Sequence, residues 1–504
     1  MQLDAPTWSM DPISPLSFGE GEARHLLWRA GFGGTPDDIQ SLVELGPEGA
    51  VDAVMESPGA DAADIARFQS DIIREWTDAE EQALRRARQR RDEDTLAKYR
   101  ERRQEMQRAD RRQFAELQQW WLNQLVNSPF AMNEKMTLFW HGHFATSYRG
   151  VENSYHLLRQ NQLFREHAIG RYDALLHGIV RDPAMLTYLN NNRSNRRDPN
   201  ENLARELMEL FSLGVGEYTE RDIKEGARAL TGYTFEGNDF TFREEWHDDN
   251  TKIILGVRGA HNGDTFVSAI LRQPACARFI ALKLYRHLVA DVSDDPSRIP
   301  EEATLVVGHM ASSIRRNRYD IRPAVRELLL SEHFYDYANR ANRIKSPVEL
   351  VAGASRSLNL PLGNEQAMLR MLDSMGQQLF RPPSVAGWDG GRAWINTSTL
   401  YARQNALALM LAGGRRNRRQ AQQFANAYDP RAVLPGGQDM TTSAFAAAML
   451  AHMIGPLGTL THPIGSRRMQ SLMEFLGPNE RPISREEAVG VVALITAMPE
   501  YQLC

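Results

Sequence analysis

Cysteine is nearly missing: 504 residues contain two, Cys276 and Cys504. So sparse a pair makes no disulfide framework, and without a C-x-x-C there is no dithiol redox motif. Long apolar runs are missing too. The longest, AFAAAMLAHMIGPLG around Ala444, is too short to cross a bilayer and is broken by His452 and Pro456. The opening residues, MQLDAPTWSMDPISPLSFGE, carry no basic segment leading into an apolar one, so no secretory signal is read and a cytoplasmic location is expected. Charge of one sign is also lacking. Lys and Arg number 59, Asp and Glu 64, and the net charge of −5 excludes a globally basic nucleic-acid coat. No G-x-x-x-x-G-K-[ST], G-x-S-x-G, H-E-x-x-H or strand-linked G-x-G-x-x-G occurs. This disfavours P-loop NTPases, α/β-hydrolases, zincins and Rossmann dehydrogenases.

What is present reads as helix. Hydrophobic residues make up 42% and charged residues 24%, an ordinary globular balance. Thr35-Pro36-Asp37-Asp38 is a helix start, and Pro47 repeats the signal. Residues 77–118 are the most charged stretch and contain no Gly or Pro. They predict a long helix, or a helical hairpin turning near Asp92, whose mixed charges suit a solvated arm. Residues 233–257 alternate or run β-branched and predict a small β-hairpin insert. Residues 376–396 form a Gly/Pro/Trp-rich loop, and GGRRNRRQAQQ from Gly413 is polar. The expected fold is therefore mainly α: a large multi-helical single domain over residues 14–411 with a β-hairpin insert and a charged helical arm. A polar linker (412–440) and a C-terminal helical segment (441–504) packing on the core follow.

Four clusters carry candidate chemistry. His141 and His143 in KMTLFWHGHFATS, read as an extended segment, would point to one side, a spacing suited to one metal ion or to an aromatic-walled core pair. The helix after Pro199-Asn200 puts Asn202, Glu206 and Glu209 on one face, with Glu201 and Arg205 beside them. Its acids would be paired, metal-bound or raised in pKa. The preceding loop with Asn192 and Arg193 could close over a site. His247, Asp248 and Lys252 sit in a turn that could complete a metal shell or a base with its orienting partner. Trp388, Asp389, Arg392 and Trp394 on the Gly-rich loop could wall a sugar or peptide site. Each cluster also has a purely structural reading as an ion-pair network, an Asx-turn or a core plug.

Six segments, LLWRAGFGGTPDDI, KMTLFWHGHFATS, NENLARELMELFSLGVGEYTERDIKEGARALTGYTF, HDDNTKIILG, RIKSPVELV and GQQLFRPPSVAGWDGGRAWIN, resemble in that order the bacterial family DUF1800, from about Phe18 to Leu411. The ending PEYQLC resembles those of planctomycete-type members. The resemblance implies a functional partnership with a DUF1501-type protein, a relative of sulfatases and alkaline phosphatases. Through that association it points to a polysaccharide or sulfated polymer as substrate. Many members resemble exported proteins, whereas this chain shows no signal peptide.

The first expectation is a metal-dependent hydrolase. His141, His143 and His247 would hold a divalent Zn, Fe or Mn ion, Glu206 or Asp248 would complete the shell, and Glu209 or Glu201 would activate water. A second is a metal-free polysaccharide lyase, with Asn202 on a uronate carboxyl, His141 or His143 as base and Tyr218 as acid, or a two-carboxylate glycosidase. A third is a non-catalytic scaffold for the DUF1501 partner. No nucleic-acid or membrane partner is expected.

Overall fold

The computed structural model describes residues 9–57, 65–412 and 428–504. Helix starts follow the capping chemistry of the sequence. Helix α1 (Glu20–Ala30) opens on Gly19, and α2 (Pro36–Val54) on a Thr35/Asp38 capping box with Pro36 at its first turn. Gly46, at φ +67°, kinks α2 ahead of Pro47, so both start signals are used. The charged arm is a helical hairpin. Helix α3 (Asp78–Arg90) ends on left-handed Arg91, and Asp92 caps α4 (Glu93–Asn127) by accepting from the Thr95 amide. The outer part of the hairpin is largely exposed, while α4 turns inward at Asp110 and buries Phe114, Leu117, Trp121 and Leu125.

The core has two hydrophobic clusters. One gathers α1, α2 and the helices Tyr172–Ile179, Pro274–Leu288, Glu301–Arg316 and Arg322–Leu330. The other gathers inner α4 and the helices Pro347–Ser357, Thr397–Leu411, Thr442–Ile454 and Arg485–Thr496. Helix α5 (Ala131–His143) joins them, giving Met132, Met136 and Trp140 to the first and Leu138 to the second. A helix buried on every side must hide its polar residues in pairs, and α5 buries Asn133, Glu134, Lys135 and Thr137 as well as apolar groups.

The fold is mainly α with small β inserts. Strands β1 (Tyr233–Glu236) and β2 (Asp239–Phe242) pair antiparallel, as do β3 (Lys252–Ile254) and β4 (Val257–Gly259). The expected single hairpin is thus two, separated by the turn that carries His247 and Asp248. The GGRRNRRQAQQ stretch lies outside the described residues. Within 412–440, Tyr428 is buried and its hydroxyl donates to the Leu358 carbonyl at 3.0 Å. The C-terminal residues are stitched into the body: Lys345 N donates to Gln502 O at 2.8 Å and Cys504 N to Arg343 O at 2.9 Å.

Asp182 gives the fold a pH dependence. It caps the helix Pro183–Tyr188 through the Met185 amide at 2.8 Å and accepts from Gln160 at 2.6 Å. Burial pushes its carboxyl up to about 7 against those hydrogen bonds. The folded chain therefore keeps a proton that the unfolded chain loses near pH 4. The stability linked to that proton is full below about pH 4 and is lost as pH rises through about 7. Asp182→Asn should flatten this part of a urea-unfolding stability curve. An unchanged slope would contradict the assignment.

Candidate active site

The site begins with one ammonium group. Lys135, on α5, is 1% exposed, and its Nζ donates to the Trp28 and Gly31 carbonyls, each at 2.7 Å. Those are free acceptors at the C-terminal end of α1. The third contact is an ion pair with Glu349 Oε1 at 2.9 Å. Glu349 is itself the third residue of the helix Pro347–Ser357, and its other oxygen accepts from the Ser346 amide at 2.7 Å in a capping box. Burial alone would raise the Glu349 pKa, but Lys135 and Arg343 outweigh it and hold the carboxyl well below its usual range.

This pair lies on the floor of a cleft of about 520 Å³ at the seam between the two core clusters. One wall comes from α5 through Leu138, Phe139 and His143. A neighbouring wall is the Gly/Pro/Trp loop through Trp388, Asp389 and Trp394. The helix Pro274–Leu288 and the residues after it supply Lys283, Arg286, His287, Asp291 and Asp294. The loop lies so close to α5 that its backbone at Gly387 abuts the Gly142 carbonyl, leaving no room for a Cβ. The requirement for glycine at this contact therefore falls on Gly387.

Two imidazoles line the cleft on either side of Phe139. His143 stacks on it with ring centroids 5.9 Å apart, and His287 tilts against it at 4.8 Å. His143 Nε2 donates to the Phe211 carbonyl at 2.9 Å. A carbonyl only accepts, so Nε2 carries the proton and Nδ1 of the neutral ring is a bare acceptor. Burial, with Lys283 adding to it, lowers His143 to about 3. Burial first, then the nearby cations Arg343 and Lys135, put His287 well below the ordinary imidazole value. Its Nε2 is buried and has no partner among the described residues, as is also true of Trp388 Nε1.

The acids of the lining are largely committed. Asp294 is bound by Arg286 and by Lys283 at 3.4 Å, and Asp291 meets Arg286 at 3.4 Å.

The sequence candidates are only partly brought together. His141 and His143 are helical, not extended, so their side chains diverge and do not share a side. His141 is buried among Trp121, Phe380 and Trp388, and burial lowers it to about 3. His247 donates from Nδ1 to the Thr231 carbonyl at 2.8 Å beside Phe242. Asp248 accepts from Arg228 at 2.7 Å, and Lys252 is buried on the Asp248 and Asn250 carbonyls. Among the described residues no three His, Cys, Asp or Glu side chains come together as a ligand group, so the shell expected from His141, His143, His247, Glu206 and Asp248 is not assembled.

The Glu-rich helix forms as Glu201–Glu209, with Asn200 as its cap and Asn202 exposed. Arg205 joins Glu201 at 3.2 Å and Glu220 at 2.9 Å. Glu209 accepts from the Tyr218 hydroxyl at 2.6 Å, while burial and then Glu209 raise Glu206. None of these side chains lines the cleft; Leu210, next along, does. The loop of Asn192 and Arg193 packs toward the β insert, with the Asn192 carbonyl accepting from Thr234 at 3.0 Å, and it does not cover the cleft. Trp388, Asp389 and Trp394 are in the lining, whereas Arg392 is exposed outside it. Lys135, His287, Arg343 and Glu349 were missed. Capping box Ser346–Glu349 and a lysine inside an apolar helix were the available signals; His287 had none.

The family of the chain is clear. The family model for "Protein of unknown function (DUF1800)" matches residues 25–503, and the chain belongs to that family. The match runs past Leu411 to the stitched C-terminal segment. No curated protein and no solved structure matches it.

Gly387, at φ +78°, tests the close approach of loop and helix. Gly387→Ala should cost about 1–3 kcal/mol more in chemical unfolding than Gly436→Ala. Gly436 has the same kind of backbone, φ +66°, with open space around it. Equal costs would mean that only backbone strain matters.

Proposed function

We propose that the cleft is a catalytic site that acts on a carbohydrate polymer by acid–base chemistry of its own side chains, with His287 and His143 moving the proton. The carrying observation is His287 in the lining of a sizeable cavity, with an Nε2 that has no hydrogen-bond partner among the described residues. A neutral imidazole there accepts a proton from a bound substrate without first losing one. His143, with Nε2 fixed on Phe211, offers Nδ1 in the same way. Trp388 and Trp394 give flat apolar faces of the kind a sugar ring stacks on.

This reading replaces the expected metal shell with imidazoles. It is also favoured over a two-carboxylate glycosidase, because Asp291, Asp294 and Glu349 are already ion-paired.

The test is turnover of a panel of neutral and acidic polysaccharides in the presence of a chelator, reading new reducing ends and the ultraviolet absorbance of unsaturated uronates. The expected outcome is chelator-resistant turnover that falls roughly 10²–10⁴-fold in kcat in His287→Ala. Turnover that is abolished by the chelator, restored by a divalent metal and unaffected in His287→Ala would overturn the proposal.

A further inference from the structure

The charge beneath the cleft floor is unbalanced. Arg29, Lys135, Arg343, Lys345 and Arg403 interact electrostatically as one cluster with Glu349 and with negative charge at Cys504. Four cations, with Lys345 as a fifth basic group, thus face two negative groups. Arg29 and Arg403 are fully buried, as is Lys135 to within 1%. Lys345 is held over the rings of Trp28 at 3.8 Å and Tyr501 at 4.2 Å. Burial, against the pull of Cys504, lowers it to about 7. Several N–H groups here have no partner among the described residues: Arg29 Nε and Nη1, and Arg403 Nη1. Arg29, Lys135, Lys345 and Arg403 are buried, so their charge is poorly screened.

The mouth of the cleft does not correct this. Lys283 and Arg286 are offset by Asp291 and Asp294, and Asp389 adds one further acid on the loop. Arg343 is the group through which the surplus reaches the cavity. It lines the space, donates to the His287 carbonyl and meets Glu349 only at 3.9 Å. His287 stands beside it, its Nε2 without a partner among the described residues.

We infer that the cleft floor is a receptor for an oxyanion carried by the ligand, a sugar carboxylate or sulfate, bound by Arg343 beside the His287 imidazole. The inference rests on the cleft being the functional site and names the substrate class. An oxyanion supplies the countercharge that the floor lacks, and a planar guanidinium matches its geometry. The same anion stabilises the imidazolium of His287, so the base strengthens when its substrate is in place.

The experiment uses the full chain with ¹⁵N-histidine labelling. Glucuronate, inorganic sulfate and glucose are titrated separately while the His287 ring resonances and the thermal unfolding midpoint are followed. At least one anion should shift His287 saturably and raise the midpoint, and glucose should do neither. Glucuronate alone would identify a carboxylate, and sulfate alone a sulfate ester. Arg343→Gln should weaken the anion roughly 10- to 100-fold, and Arg86→Gln on the outer hairpin should not. If Arg343→Gln does not fold, the wild-type titration decides. No saturable shift with either anion, an equal response to glucose, or full affinity in a folded Arg343→Gln would overturn the inference. Anion binding without turnover of any polymer would sink only the catalytic reading. Turnover of a neutral polymer without anion binding would sink only this one.

Discussion

A lysine ammonium buried to within 1% of its surface is costly unless all three of its protons are met, and the architecture around Lys135 follows from meeting them. Two acceptors come from the C-terminal carbonyls of α1 and the third contact from Glu349 at the start of another helix. The ammonium therefore ties three elements with opposite helix ends. The negative end of α1 faces the cation, and the carboxylate sits at the positive end of the helix Pro347–Ser357. Because α5 also contributes to both hydrophobic clusters, the pair sets how the clusters meet. The cleft is the space left at that seam.

The same arrangement explains why the cleft is polar at its floor and aromatic at its sides. Gly387 lets the tryptophan loop lie directly on α5, and Trp388 and Trp394 join the cleft lining with the charged residues. Phe139 packs against both imidazoles, and burial, with Lys283 near His143 and with Arg343 and Lys135 near His287, favours the neutral ring of each. The C-terminal residues close the back of the cluster: Gln502 accepts from Arg403 at 2.7 Å, and the Tyr501 carbonyl from Lys345 at 2.8 Å. They are part of the site's support and not an appendage, in keeping with a family match that runs to residue 503.

Much of the fold was legible because capping chemistry is local. The starts at Pro36 and Glu201, the Asp92 turn of the hairpin and the inward turn of α4 all follow from short patterns. The tryptophan loop was also readable, since Gly and Pro mark it. The site was less so. The H-x-H segment was read at a strand's period of two, but its flanking residues belong to a buried helix that shows little amphipathic signal, and at helical period the two side chains part. His247 and Asp248 looked like ligands because their chemistry is shared with turn-forming residues. Lys135 and Glu349 meet across 214 positions of chain, and no local pattern announces such a pairing. His287 sits in an ordinary amphipathic helix and gains its character only from what packs against it.

A double-mutant cycle on Lys135 and Glu349 tests the central claim most directly. Lys135→Met and Glu349→Leu are compared with the double variant in chemical unfolding. Each single change should cost about 3–5 kcal/mol because it strands one buried charge, and the double variant should cost far less than the two together. Additive costs would mean that the pair does not hold the seam, and the account of the cleft built on it would fail.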